Sequence, residues 1–188
     1  MNPPIKINGE RQIGETVWKK SLVAQSYMNP RTNEVYEYGI FKVDCLPVTV
    51  IFPVTDDLNV IAIRQFRHAA DEFVLELPGG IPSISEIDIS IVIAELSQEA
   101  GYSVSGEIRP LTRRPIYFDP ASLTMLFQPF LAQGCWKHSD DLKLDEAEQI
   151  EVVKMPIDDW LHRIERGEVR DAKSIVTTFL AVRASGIK

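Results

Sequence analysis

Glu95 and Glu99 stand four residues apart in the run Ala94-Glu-Leu-Ser-Gln-Glu-Ala-Gly101, a spacing that puts both carboxylates on one face of a helix. Hard oxygen donors placed this way can converge on one divalent ion or an ion pair, and magnesium or manganese fits them. Magnesium is commonly held by one or two carboxylates completed by water and phosphate oxygens, so the pair suits metal bound jointly with a phosphate-bearing substrate. In isolation the same spacing also describes a solvated helix face. Upstream, Pro78-Gly79-Gly80 can turn sharply and bring bare backbone close to a ligand. Far downstream, Glu146 and Glu148 in Leu144-Asp-Glu-Ala-Glu-Gln149 read by themselves as an acidic surface loop.

Positioning these groups requires a scaffold, and the hydropathy pattern supplies one. Val48 to Val54 and Val60 to Phe66 are β-branched apolar runs separated by Thr55-Asp-Asp-Leu-Asn59, which predicts two core strands joined by a short turn. Phe73 to Leu77 alternates like a further strand and stops at Pro78-Gly79-Gly80. Apolar positions at Ile87, Ile91 and Ala94 recur with helical spacing, and Ser83 with Glu86 could form a capping box, so one helix is expected from Glu86 to Ala100. The isoleucine-rich run Ile87 to Ile93 also fits a strand by propensity. Further strands are expected at Leu123 to Leu131 and Ile150 to Val153, and amphipathic helices at Ile157 to Arg166 and Ala172 to Ala184. Residues 1–45 mix polar and aromatic positions around Tyr27-Met-Asn-Pro-Arg-Thr-Asn33, where Asn-Pro and Thr-Asn suggest a turn between two strands. The order implies a mixed α/β (α+β) layer fold with a small N-terminal β-hairpin extension.

With 188 residues, 45% apolar and 25% charged, the chain can bury one substantial core. We therefore expect a main domain over 46–188 and an N-terminal β-rich extension over 1–45. A formal charge of −7 argues against a surface that neutralises a nucleic-acid backbone. Two cysteines, Cys45 and Cys135, make neither a disulfide framework nor a metal pair and suit a reducing cytosol. No run approaches the roughly 18 apolar residues that span a bilayer. A cytoplasmic protein with no membrane and no nucleic-acid partner is the expectation. His68, His138 and His162 show no ligand spacing, and structural or surface roles are expected of them.

Gly80, Glu86, Glu95, Leu96, Glu99, Gly101 and Tyr102 follow the spacing of the Nudix box, G-x5-E-x7-R-E-U-x-E-E-x-G-U, which this region resembles. Two positions depart from it: Ala94 stands where the family has arginine, and Gln98 where it has the first of two adjacent glutamates. The resemblance implies a mixed sheet sandwiched between helices, and metal binding by Glu95, Glu99 and the Gly79 carbonyl with Mg2+ or Mn2+ as cofactor. The family arginine orients the carboxylate ligands, a loss worth roughly 10- to 100-fold in metal affinity or activity; Arg113 or Arg114 is the expected substitute.

Arg64-Gln-Phe-Arg67, Glu76-Leu-Pro-Gly-Gly80, Asp119-Pro120, Leu144 to Val152 and Asp171-Ala-Lys-Ser174 extend the likeness to the ADP-ribose pyrophosphatase branch. That branch cleaves ADP-ribose to AMP and ribose 5-phosphate. The resemblance implies Glu148 as the water-activating base with Glu146 as helper, and substrate contacts from Arg67, Glu76, Trp18 and Tyr36. The two aromatics occupy places where related enzymes stack adenine, often across a swapped dimer. A homodimer is expected, because the N-terminal hairpin is too short to fold alone. A Nudix-fold sensor that binds ADP-ribose or a related nucleotide without cleaving it is the alternative.

Overall fold

The computed structural model describes residues 3–7, 9–15, 20–82, 89–144 and 149–186. Its elements run β1 (Ile5–Lys6), β2 (Arg11–Glu15), β3 (Lys20–Met28), β4 (Val35–Val43), β5 (Val48–Val54), β6 (Asn59–Arg67), β7 (Glu72–Glu76) and α1 (Ile89–Glu95). A π-helical turn, Leu96–Ala100, continues α1; then follow β8 (Tyr102–Val104), β9 (Ile108–Pro110), β10 (Ile116–Tyr117), β11 (Leu126–Gln133), β12 (Cys135–Lys137), β13 (Ile150–Pro156), α2 (Ile157–Glu165) and α3 (Ala172–Ser185). The chain divides into a smaller compact unit, Met1–Cys45 with Ile116–Leu126, and a larger one, Leu46–Pro115 with Phe127–Lys188.

In the smaller unit β3 pairs antiparallel with β1, β2 and β4, and Tyr27 stands opposite Tyr36. The turn between β3 and β4 falls where Asn-Pro and Thr-Asn point: Asn29 donates its N–H to Glu34, and Asn33 takes a positive φ of 59°, a conformation asparagine tolerates. The expected hairpin is thus the centre of a larger antiparallel sheet, because the preceding strands add to the free edge of β3.

In the larger unit β5 is flanked by β11, in parallel, over Val48 to Val54. On its other side it meets β6 only at Val54 opposite Val60. The start of that side is occupied by the chain after β7: Thr49 donates its N–H to the Gly80 carbonyl at 2.8 Å and Ile51 to the Pro78 carbonyl at 2.9 Å. The next N–H on that side would belong to residue 53, which is proline, so this short ladder ends where a donor is missing. β6 continues the sheet through β13 and β7, both antiparallel.

Alternation along β5 explains how one sheet serves two layers. Ile51 joins Ile61, Val92, Leu96, Ala100, Tyr102, Phe130, Ala132 and Cys135 in one buried cluster under α1 and its π-helical turn. Val50, Phe52 and Val54, equally buried, face the other way, where α3 packs against β5. Trp160 of α2, fully buried, donates its indole N–H to Thr178 Oγ1 of α3 at 2.9 Å, tying the two last helices together. Fully burying side chains of this size contributes about 1.5–3 kcal/mol each. No helix among the described residues is long and apolar enough to cross a membrane.

Candidate functional site

The segment Pro78-Gly79-Gly80 is stitched on both sides. The Gly80 N–H donates to Thr49 Oγ1 at 3.3 Å, and that hydroxyl donates back to the Gly80 carbonyl at 3.1 Å. The Gly79 N–H points the other way and donates to Glu99 Oε2 at 3.0 Å. In a trans peptide the carbonyl opposes the following N–H, so the Gly79 carbonyl is directed away from β5. Gly79 holds φ at 157°, and a Cβ there would lie 2.0 Å from the Thr49 carbonyl oxygen. Only glycine fits.

The carboxylates come from the helix opposite. α1 buries Ile91 and Val92, and the π-helical turn buries Leu96, Glu99 and Ala100. The helix expected to end at Ala100 does so, but its last turn is widened, and Gly101 closes it in the left-handed conformation, donating to the carbonyls of Leu96 and Ser97. Residues four apart remain near one face of the wider turn, so Glu95 and Glu99 both reach the glycine segment. Glu99 is only 5% exposed. A Cβ on Gly80 would stand 2.7 Å from Glu95 Oε2; the bare glycine makes room for that carboxylate.

A second polar group lies at the ends of β6 and β7. Glu76, 2% exposed, accepts from Arg67 Nε at 2.7 Å, and its other oxygen lies 3.8 Å from Lys173 Nζ. Lys173 also pairs with Asp171, which caps α3 by accepting from Ser174 N at 3.0 Å and Ser174 Oγ at 2.6 Å. Ser174 Oγ in turn accepts the Leu77 N–H at 2.8 Å. The group thus ties α3 to the residue before Pro78. Burial raises the pKa of Glu76 despite Arg67 and Lys173. Burial also opposes the charge on Arg67, but the Glu76 hydrogen bond and the charges of Glu76, Glu99 and Asp171 outweigh it and raise its pKa. Among the described residues only Nε of Arg67 is engaged, which leaves the outer guanidinium nitrogens for a bidentate anion.

Asp171 provides a test of this group. Burial pushes its carboxyl up, yet the Lys173 charge and the hydrogen bonds from Lys173 and Ser174 hold its pKa below the ordinary 3.8. The unfolded chain therefore binds more protons than the folded one in that range, so the stability Asp171 contributes is present above about pH 4 and is lost as pH falls through its folded pKa. Asp171→Ala is expected to lower the unfolding free energy by about 1–3 kcal/mol at pH 7. Urea titrations from pH 7 to pH 2.5 should show this deficit shrinking toward the acid end.

Gly79, Glu95, Glu99, Arg67 and Glu76 all belong to the larger unit. Tyr36 belongs to the smaller one, exposed and stacked on Tyr27 with ring centroids 6.0 Å apart. Trp18, Glu86, Glu146 and Glu148 lie outside the described residues. Arg113 and Arg114, the expected guanidinium substitutes, are exposed. They lie between β9 and β10, in a stretch of bends after the sheet edge. Ala94 and Gln98 are exposed. Lys173 and Thr49 were not singled out by sequence; the Asp171-Ala-Lys-Ser174 motif was the signal for the first, and Thr49 carried none.

Among the described residues no three acidic, histidine or cysteine side chains gather as a metal cluster. Two carboxylates and one carbonyl nonetheless form an all-oxygen set of the kind hard divalent cations take with substrate phosphates. No family model matches the chain. An ADP-ribose pyrophosphatase of Bacillus subtilis is 30% identical over 125 residues, 66% of this chain and 65% of its own length. The chain therefore spans just under two thirds of that relative. A GDP-mannose pyrophosphatase of Escherichia coli is 31% identical over 154 residues, 76% of this chain and 73% of the relative. The crystal structure of an ADP compounds hydrolase superposes with a TM-score of 0.82 over 99% of this chain and 97% of its own, at 17% identity, a shared fold. With an all-oxygen carboxylate pair set against a glycine segment, on this fold and with these relatives, the chain belongs to the Nudix hydrolases, in their ADP-ribose pyrophosphatase-like branch.

Proposed function

We propose that the protein hydrolyses the diphosphate of a nucleoside diphosphate linked to a sugar, with ADP-ribose as the favoured substrate and AMP and ribose 5-phosphate as products. The observation that carries this reading is the approach of Glu95 and Glu99 to Pro78-Gly79-Gly80, with the Glu99 carboxylate fixed by the Gly79 N–H. Mg2+ or Mn2+ held by Glu95, Glu99 and the Gly79 carbonyl would neutralise charge on the phosphoryl oxygens. Arg67, anchored through Nε by Glu76, would offer a phosphate its outer nitrogens, which are unengaged among the described residues. Glu148, assisted by Glu146, would take the proton of the attacking water as one phosphorus–oxygen bond forms and the bridging one breaks. Trp18 and Tyr36 would stack the base.

A homodimer in the cytoplasm belongs to the same reading. Exposed Ile13, Val35, Tyr38 and Phe41 of the smaller unit support an apolar contact there, and light scattering at micromolar concentration tests it. The free thiols Cys45 and Cys135 support a reducing compartment.

The function is tested by incubating the protein with Mg2+ or Mn2+ and ADP-ribose, GDP-mannose and other nucleotide sugars. ADP-ribose should show the highest kcat/KM, and EDTA should abolish turnover until excess Mg2+ restores it. Micromolar binding of one nucleotide with turnover of none would replace the hydrolase by a sensor.

A further inference from the structure

A helix that ends leaves its last carbonyls without partners, and around Glu99 those partners come from one distant segment. Gln98 O accepts from Lys143 N at 3.1 Å, and Ala100 O accepts from Lys137 Nζ at 3.2 Å. Gly101 O accepts from both His138 N at 3.0 Å and Ser139 N at 3.2 Å. The fit is close: a Cβ on Gly101 would lie 2.1 Å from the Ser139 carbonyl oxygen. Residues 137–143 thus lie as a strap along the end of the π-helical turn.

One link in this strap joins two side chains. Ser97 Oγ and His138 Nε2 are 2.9 Å apart, and Trp136 meets the His138 ring edge-on with centroids at 6.0 Å. A serine hydroxyl can donate or accept, so the link holds with either imidazole tautomer and with imidazolium. Ser97 lies between Glu95 and Glu99 in the chain. A tether at that position resists rotation of the turn about its axis, the motion that would swing both carboxylates off the glycine segment. The tether sits on a π-helical turn, a geometry found frequently at functional sites.

We propose that Ser97 and His138 are positioning residues: through their bond the strap sets the aim of Glu95 and Glu99 at the metal. The inference rests on the metal-dependent reading above. The strap also runs on in sequence to Glu146 and Glu148, so the segment that orients the metal carboxylates precedes the pair assigned to water activation.

The test compares wild type with Ser97→Ala, His138→Ala and His138→Gln, the last retaining a side-chain donor and acceptor. Amide hydrogen exchange reads the strap, and Mn2+ titration with and without ADP reads the metal site. Both alanine variants should speed exchange at the Lys143, His138 and Ser139 amides by about 3- to 10-fold, the effect of one net hydrogen bond, with β5 and β6 amides unchanged. They should weaken Mn2+ by about 10-fold, as loss of an orienting partner does, and lower kcat more than they raise KM. His138→Gln should recover much of each. Faster strap exchange with unaltered Mn2+ affinity would make the strap structural only and overturn the proposal, as would unaltered exchange. Wild-type protein that takes up no Mn2+ even with ADP would remove the metal-dependent reading itself, whereas normal wild-type binding equalled by both alanine variants overturns the strap alone.

Discussion

Glu99→Gln is expected to reduce kcat/KM for ADP-ribose by roughly 10²- to 10³-fold while shifting the thermal midpoint little. Two roles of Glu99 separate in this variant. The glutamine amide oxygen can still accept the Gly79 N–H that Glu99 Oε2 takes at 3.0 Å, so the glycine segment keeps its partner on the helix side. The negative charge at the proposed metal site is lost. Removing a group that only orients a ligand costs about 10- to 100-fold, and removing the ligand charge itself should exceed that. Glu99→Ala should be worse in a different way, because it takes the partner from a part-buried N–H and adds a stability loss of about 1 kcal/mol. Equal kcat/KM for wild type and Glu99→Gln, measured at saturating Mg2+, would place the metal elsewhere.

Gly79→Ala should be among the most destabilising single substitutions in the chain, about 4 kcal/mol or more in urea unfolding at pH 7. The added Cβ would lie 2.0 Å from the Thr49 carbonyl oxygen and 3.0 Å from Val50 Cα. Both obstacles are backbone of β5, a strand held on its other side by the full parallel ladder to β11, so neither can step aside. A positive φ of 157° adds strain for any side chain. Gly80→Ala makes the informative contrast. Its Cβ would meet the Glu95 carboxylate at 2.7 Å, the far end of a flexible side chain that can swing away. That variant should fold with a midpoint close to wild type and lose metal affinity instead. Two adjacent glycines, one needed for the strand and one for the carboxylate, would then be told apart by a melt and a metal titration. A Gly79→Ala protein as stable as wild type would show that the strand can retreat from Thr49.

The sequence made the local features readable and left the long-range ones hidden. β5 and β6 declare themselves through runs of β-branched residues, and the β3–β4 turn through Asn-Pro and Thr-Asn, because each depends on neighbours within a few residues. The expected strand from Leu123 begins instead at Leu126. Nothing local marks that it lies parallel to β5, since register is set by partners some 80 residues away. The widening of the helix at Leu96 is likewise invisible in composition. Glu76 was singled out, but its place in a buried group with Lys173 and Asp171 depends on α3 docking near β7, a contact spanning almost 100 residues. Arg113 and Arg114 were suggested by charge type alone, and both are exposed.

Ala94 and Gln98, the two departures from the Nudix box, share one property: both side chains face solvent on a helix that buries Val92, Leu96 and Ala100 instead. Among the described residues, neither side chain belongs to the buried core or bonds to the glycine segment. The fold therefore has no veto over these two charges. Restoring either charge should change the electrostatics beside Glu95 and Glu99 while leaving the thermal midpoint close to wild type.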